Sequence, residues 1–219
     1  MKNPVYVENA NTIQKEIQRV LKPLGFRRKG RVFNRVTADG LVQAIGMQLG
    51  QYELGVDDVF PGGPSSSFYG RFTINLGVII PCVNEMEHGA LPREFYQDYQ
   101  GQIRARVGHL AFGKDTWWEL SKDPRLRAPE IIALVESHGL AFLERYGSHD
   151  AILARYEEDG ELPFSNPARS ALVVALIYMG RNDAERARYF MMEAKRLAVL
   201  PAFYRYVDAL AVKLGVLLE

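Results

Sequence analysis

The sequence predicts an α+β protein: an antiparallel sheet with an N-terminal helix packed on one face, followed by an all-helical C-terminal extension. Three observations predict it. Residues 71–80, RFTINLGVII, and 102–107, QIRARV, alternate apolar and polar side chains, as strands with one dry and one wet face do. Residues 8–22, ENANTIQKEIQRVLK, carry apolar groups at steps of three and four. Beyond Leu120 the alternation stops and helical spacing takes over.

The elements follow in order. In the first helix Ile13, Ile17, Val20, Leu21 and Leu24 form the apolar stripe, Asn9 or Asn11 is placed to cap it, and Pro23 and Gly25 mark its end. Two strand-like runs flank Ala38-Asp39-Gly40, a turn sequence suited to a hairpin. Residues 51–69, rich in Gly, Pro and Ser, read as a long loop. In the 71–80 strand Phe72, Ile74, Leu76, Val78 and Ile80 share the dry face, with Arg71, Thr73, Asn75 and Gly77 opposite. In the next, Ile103, Ala105 and Val107 point one way and Gln102, Arg104 and Arg106 the other. Helical patterns then cover 129–146, 149–158, 167–179, 183–198 and 202–217, with Pro129, Pro167 and Pro201 expected in first turns. A division into a sheet domain, 1–125, and a helical extension, 126–219, follows from this change of character.

Composition narrows the class. The chain has 219 residues, 47% of them hydrophobic, which is ample for a core, and no apolar run approaches a membrane span. The first residues lack the apolar stretch of a signal peptide, and the single cysteine, Cys82, excludes an internal disulfide framework; both suit the cytoplasm. The net charge of +1 selects no partner, but its distribution is uneven. Residues 15–35 hold Lys15, Arg19, Lys22, Arg27, Arg28, Lys29, Arg31 and Arg35 against Glu16 alone, whereas 144–161 are acidic. Such segregation steers charged partners.

Several stretches in the first part form a recognisable set: GFRRKGRVFNR (25–35), FTINLGV (72–78), IRARVGHL (103–110), DTWW (115–118) and HGLAFLERY (138–146). In these the chain, over about residues 10–146, resembles an uncharacterised bacterial family, domain of unknown function family 4304. The resemblance implies a helix packed on an antiparallel sheet. It implies no reaction and carries over no catalytic residue.

The candidate site is a binding face. Arg71, Asn75, Arg104 and Arg106 lie on the wet side of two strands, and Arg31 and Arg35 share one parity of a third. Were these strands neighbours, several guanidinium groups would converge, each offering paired donors to a carboxylate or phosphate. The competing reading pairs those arginines with internal acids such as Asp115, Glu53 or Glu119. Trp117 and Trp118 are adjacent: in a strand one enters the core and the other reaches the wet side beside the arginines, whereas at a helix start they diverge by only about 100° and both can be buried. Arginine and tryptophan are frequent interface anchors. The four histidines show no i,i+3 or i,i+4 pairing, and no CxxC exists, so neither a metal site nor a cofactor is expected. His109 follows Gly108 at a strand end, a position suited to acid–base work, although a structural histidine is the favoured reading; Cys82 after Pro81 has no context that marks it as a nucleophile.

The leading expectation is a non-catalytic module that binds another protein, for instance an immunity protein neutralising a bacterial toxin. A small-anion or nucleotide binder, possibly enzymatic, using the arginine face is the alternative. RNA or DNA binding through residues 22–35 is a third. No membrane partner is expected.

Overall fold

The computed structural model describes residues 4–50, 68–89 and 93–218, so most of the loop expected at 51–69 lies outside the described residues. Helix α1 (Pro4–Leu21) begins before residue 8 and buries Ala10, Ile13, Ile17 and Leu21 on one stripe. Asn9 and Asn11 therefore sit inside the helix and cap nothing. Asn9 Nδ2 donates to the Leu120 carbonyl (2.8 Å), and Asn11 Oδ1 accepts from Arg31 Nη2 (3.2 Å). A 3-10 turn, Lys22–Leu24, closed by Gly25 at φ 86°, ends the run. It swings Leu24 into solvent and leaves Val20 half-buried, so neither completes the stripe.

Strands β1 (Arg27–Lys29), β2 (Val32–Val36) and β3 (Val42–Leu49) follow, each antiparallel to the last. The Ala38-Asp39-Gly40 hairpin forms, with Gly40 at φ 78°, a left-handed position that glycine takes without steric cost. Strand β4 (Arg71–Ile79) pairs with β3 from Phe72 to Ile79. Helix α2 (Pro81–His88) follows it. Strand β5 (Ile103–Arg106) then pairs with β4, helix α3 (Val107–Phe112) follows, and the short β6 (Trp118–Glu119) pairs with the start of β4. Among the described residues six strands form one antiparallel sheet ordered β1-β2-β3-β4-β5, with β6 off that path.

The remaining elements are helical: α4 (Pro124–Leu134), a π-helical segment Val135–Leu140, α5 (Ala141–Arg145), α6 (His149–Asp159), α7 (Pro167–Gly180), α8 (Ala184–Arg196) and α9 (Pro201–Lys213). Pro167 and Pro201 open their helices, but Pro129 lies inside α4. The opening there belongs to Pro124, behind Asp123, whose carboxylate accepts from Arg125 N–H (2.9 Å). Residue 125 is thus within α4, which packs on α1. The last helix stops at Lys213, short of residue 217.

One face of the sheet is dry throughout. Phe72, Ile74, Leu76 and Val78 meet Phe33, Ile45, Met47, Ile103 and Ala105 in a single buried cluster that runs from Ala10 in α1 to Ala211 in α9. The opposite face is not simply wet, which corrects the reading of the alternation. Tyr96 covers Val32, Val42, Ala44 and Ile79, and Thr73 and Ile79 are fully buried. Asn34 on β2 holds this covering segment by two bonds: Asn34 Nδ2 donates to the Tyr96 carbonyl (3.0 Å), and Tyr96 N–H donates to Asn34 Oδ1 (2.7 Å). Two glycines, Gly46 on β3 and Gly77 on β4, remove the side chains that would keep Asp98 off the sheet. None of the described helices is long and apolar enough to cross a membrane.

Candidate functional site

Where the covering segment ends, the second sheet face opens into two clefts of about 610 and 510 Å³. Both are lined by Tyr99, Arg104 and Phe164. Strand parity builds the floor. Asn75 is registered with Arg106 and Gly77 with Arg104, so both arginines emerge on the Asn75 side of the sheet. Arg104 is exposed and makes no hydrogen bond or ion pair among the described residues.

Arg106 is committed. Its Nη1 lies 2.5 Å from Asp115 Oδ2, and its guanidinium carbon is 5.5 Å from the Trp117 ring centroid. Trp117 Nε1 donates to the same Asp115 oxygen (3.2 Å), and its ring packs on Phe68 at 4.6 Å. Half-exposed, this ion pair contributes at most about 1 kcal/mol; together with the indole bond it fixes the orientation of the Trp117 ring beside the clefts. The neighbouring Trp118 points the other way, 5% exposed, with its ring 5.7 Å from Phe72 on the dry face. The two tryptophans diverge because Trp118 is registered with Phe72 in the β4–β6 pair.

Phe164, in the turn between α6 and α7, forms the outer wall. It is 55% exposed at φ 53°, a left-handed conformation that costs a bulky residue on the order of 1–3 kcal/mol. Its flanks over-determine it. Leu162 is buried, Ser165 N–H donates to the Leu162 carbonyl, and Asn166 caps α7 through Arg169 N–H (2.8 Å). The ring meets His109 edge-on at 5.3 Å.

The floor holds two unused acceptors. Asp98 is 9% exposed, and its carboxylate accepts no hydrogen bond among the described residues. Asn75 Nδ2 donates to Gln48 Oε1 (2.9 Å), but Asn75 Oδ1 is buried without a partner. Both residues line the smaller cleft with Gln48, Arg106 and His109.

The wall of the larger cleft includes a buried ion pair. Glu87, its side chain 1% exposed, is gripped by both terminal nitrogens of Arg169 and accepts from Tyr206 Oη (2.9 Å). Burial alone would push the Glu87 carboxyl up; the Arg169 bonds and charge outweigh it and hold the carboxyl below its ordinary value. Burial, reinforced by Glu87, pushes the Tyr206 phenol up to about 12. The cluster ties α2 to α7 and α9.

The expected convergence of all the arginines is not found. Arg104 and Arg106 come together with Asn75 and Trp117, whereas Arg71 lies outside both clefts, half-buried opposite Glu119 of β6. Arg31 and Arg35 sit on the other side of the sheet, because they share the parity of the buried Phe33. Arg31 reaches Gln14 and Asn11 on α1, and burial together with the charge of Arg28 pulls its pKa down. Arg35 donates to Gln43 Oε1 (2.6 and 2.8 Å) and to Glu144 Oε1 (2.5 Å), and lies over Phe26. These two arginines fasten the helical layer to the sheet. In the 22–35 segment Arg27 is paired with Glu94 (2.9 Å) at the exposed edge strand.

Sequence reasoning missed Asp98, Tyr99, Gln48 and Phe164. The available signal was the pair of mid-strand glycines, which marks a close approach of other backbone. Burial pushes the Cys82 thiol up, which suits a packing group near Gly180 rather than a nucleophile. Among the described residues no three His, Cys, Asp or Glu side chains are grouped to hold a metal ion.

Comparison with curated proteins and with solved structures gave no match. The stretch 25–35 lies ahead of the segment that a family model matches. That match covers residues 63–145, and the family is described as a domain of unknown function (DUF4304). Asn75, Asp98, Arg104 and Arg106 of the clefts, and Trp117 beside them, all fall within the matched segment.

Proposed function

We propose that the chain is a non-catalytic protein-binding module and that an acidic segment of its partner docks in the groove around Arg104. The observation that carries this reading is Arg104 itself. It stands exposed and, among the described residues, without a paired acid, and it lines both clefts with Tyr99 at 68% and Phe164 at 55% exposure. An arginine with its donors uncommitted, ringed by exposed aromatic faces, has the composition of an interface hot spot. Trp117, stiffened by Arg106 and Asp115, extends that surface. The specific form is an immunity protein that occupies a toxin stoichiometrically in the cytoplasm, an action that requires surface complementarity and no catalytic constellation. The volumes of the clefts also suit a small anion, which is the second reading.

A photo-crosslinking residue placed at position 99 tests the proposal, with position 126 on α4 as control. The same partner protein should be captured at 99 and not at 126, and Arg104→Glu should abolish capture. Equal capture at both positions, or capture indifferent to Arg104→Glu, overturns it.

A further inference from the structure

The groove has a floor of opposite character to its rim. Among the described residues Asp98 is nine-tenths buried with no donor to its carboxylate, and Asn75 Oδ1 beside the same cleft is buried and unpartnered. A fully buried acceptor without a donor, as Asn75 Oδ1 is, is rare in folded proteins and costly to keep, whereas the Asp98 oxygens stay open to the cleft. Arg104, at the edge of this cleft, carries an equally unused positive charge, yet forms no ion pair with Asp98. Opposite charges thus stand in one cleft without neutralising each other. A plain anion drawn to Arg104 would meet the Asp98 carboxylate. A plain cation drawn to Asp98 would meet Arg104 and Arg106.

We propose that the cleft is a subsite for a group bearing both charges: a guanidinium or ammonium seated over Asp98 and Asn75 Oδ1, with a carboxylate on Arg104. Tyr99 and Phe164, which line the same cleft, offer aromatic faces to the planar cation. The inference rests on the binding face described above and specifies its ligand. In a partner protein the group is a basic side chain next to an acidic one. A free zwitterion carries the same chemistry.

Calorimetric titration tests this with four probes: 4-guanidinobutyrate, butylguanidinium, butyrate, and the capped dipeptide acetyl-Arg-Glu-amide. The probes bearing both charges should bind at least tenfold tighter than either single-charge probe. Asp98→Asn, close to isosteric, should remove that preference by weakening the probes that carry a guanidinium, while butyrate, relieved of the Asp98 charge, should bind more tightly. Asn75→Asp, which adds a second negative charge to the floor, should tighten butylguanidinium binding several-fold. Tighter binding of the dipeptide than of 4-guanidinobutyrate assigns the group to a protein segment; the reverse assigns it to a free zwitterion. The inference is overturned if both charges together bind no tighter than one, or if Asp98→Asn changes nothing while Arg104→Ala still abolishes butyrate binding. Butyrate binding indifferent to Arg104→Ala instead removes the binding face itself.

Discussion

Asp98 lies directly on Gly46: a Cβ added to that glycine would stand 2.2 Å from Asp98 Oδ1 and 2.5 Å from its Cγ. A Cβ at Gly77 would stand 2.3 Å from the Asp98 backbone oxygen. The candidate site therefore exists because two adjacent strands lack side chains where a turn must touch them.

These two contacts respond differently to substitution. Gly77→Ala drives a methyl into backbone that cannot yield and should cost about 1–3 kcal/mol or more in denaturant unfolding. Gly46→Ala meets mainly a side chain. Adding Asp98→Ala should recover much of its loss but little of that of Gly77→Ala. A double-mutant cycle on urea midpoints measures the difference.

Asn34 holds the covering segment through paired bonds to Tyr96. Asn34→Ala leaves a buried N–H and a buried carbonyl without partners, at about 1–3 kcal/mol each. Beyond lower stability, amide exchange at Tyr96 should accelerate. Ligand binding should weaken too, since the same segment carries Asp98 and Tyr99. Unchanged exchange at Tyr96 would show that the apolar contacts alone hold the segment.

The Glu87–Arg169 pair makes stability depend on pH with a defined sign. The folded carboxyl titrates below its ordinary value, so its contribution is complete above the usual carboxylate range of about pH 4. It is lost as pH falls through the depressed folded value. Arg169→Leu strands a buried charge and should cost about 3–5 kcal/mol at neutral pH. In that variant the Glu87 carboxyl should titrate at or above its ordinary value, reversing the sign of its contribution. Thermal unfolding of both proteins between pH 3 and 7 checks this.

Phe164 occupies a left-handed position. Phe164→Gly relieves its backbone and should leave stability unchanged or raise it by up to about 1 kcal/mol, while weakening ligand binding. Stability and affinity falling together would make the ring a packing element instead.

The tryptophans should be separable by fluorescence. Trp117 is half-exposed and Trp118 buried, so acrylamide should quench one class of emission far more than the other. Trp117→Phe should remove the quenchable class. Equal quenching of both would contradict the divergence at β6.

Most of the fold was legible because its signals are local. Period-two alternation identified β4 and β5, and Phe72, Ile74, Leu76 and Val78 all face the core. Ala38-Asp39-Gly40 made its hairpin. Helix ends were less legible: α1 runs on to Pro4 and α4 opens at Pro124, because tertiary packing lengthens helices past their periodic cores. Parity alone placed Asn75 and Arg104 on one side of the sheet. Neither alternation nor composition can say what covers that side, for the answer lies in contacts between residues far apart in the chain. Asp98 settles on glycines of two other strands, and Arg31 and Arg35 turn to the helices. Phe164 arrives from the helical extension to wall a cleft on the sheet. Which charges end up paired and which remain open is decided only there, since ion pairing depends on distances of a few ångströms that no local pattern encodes.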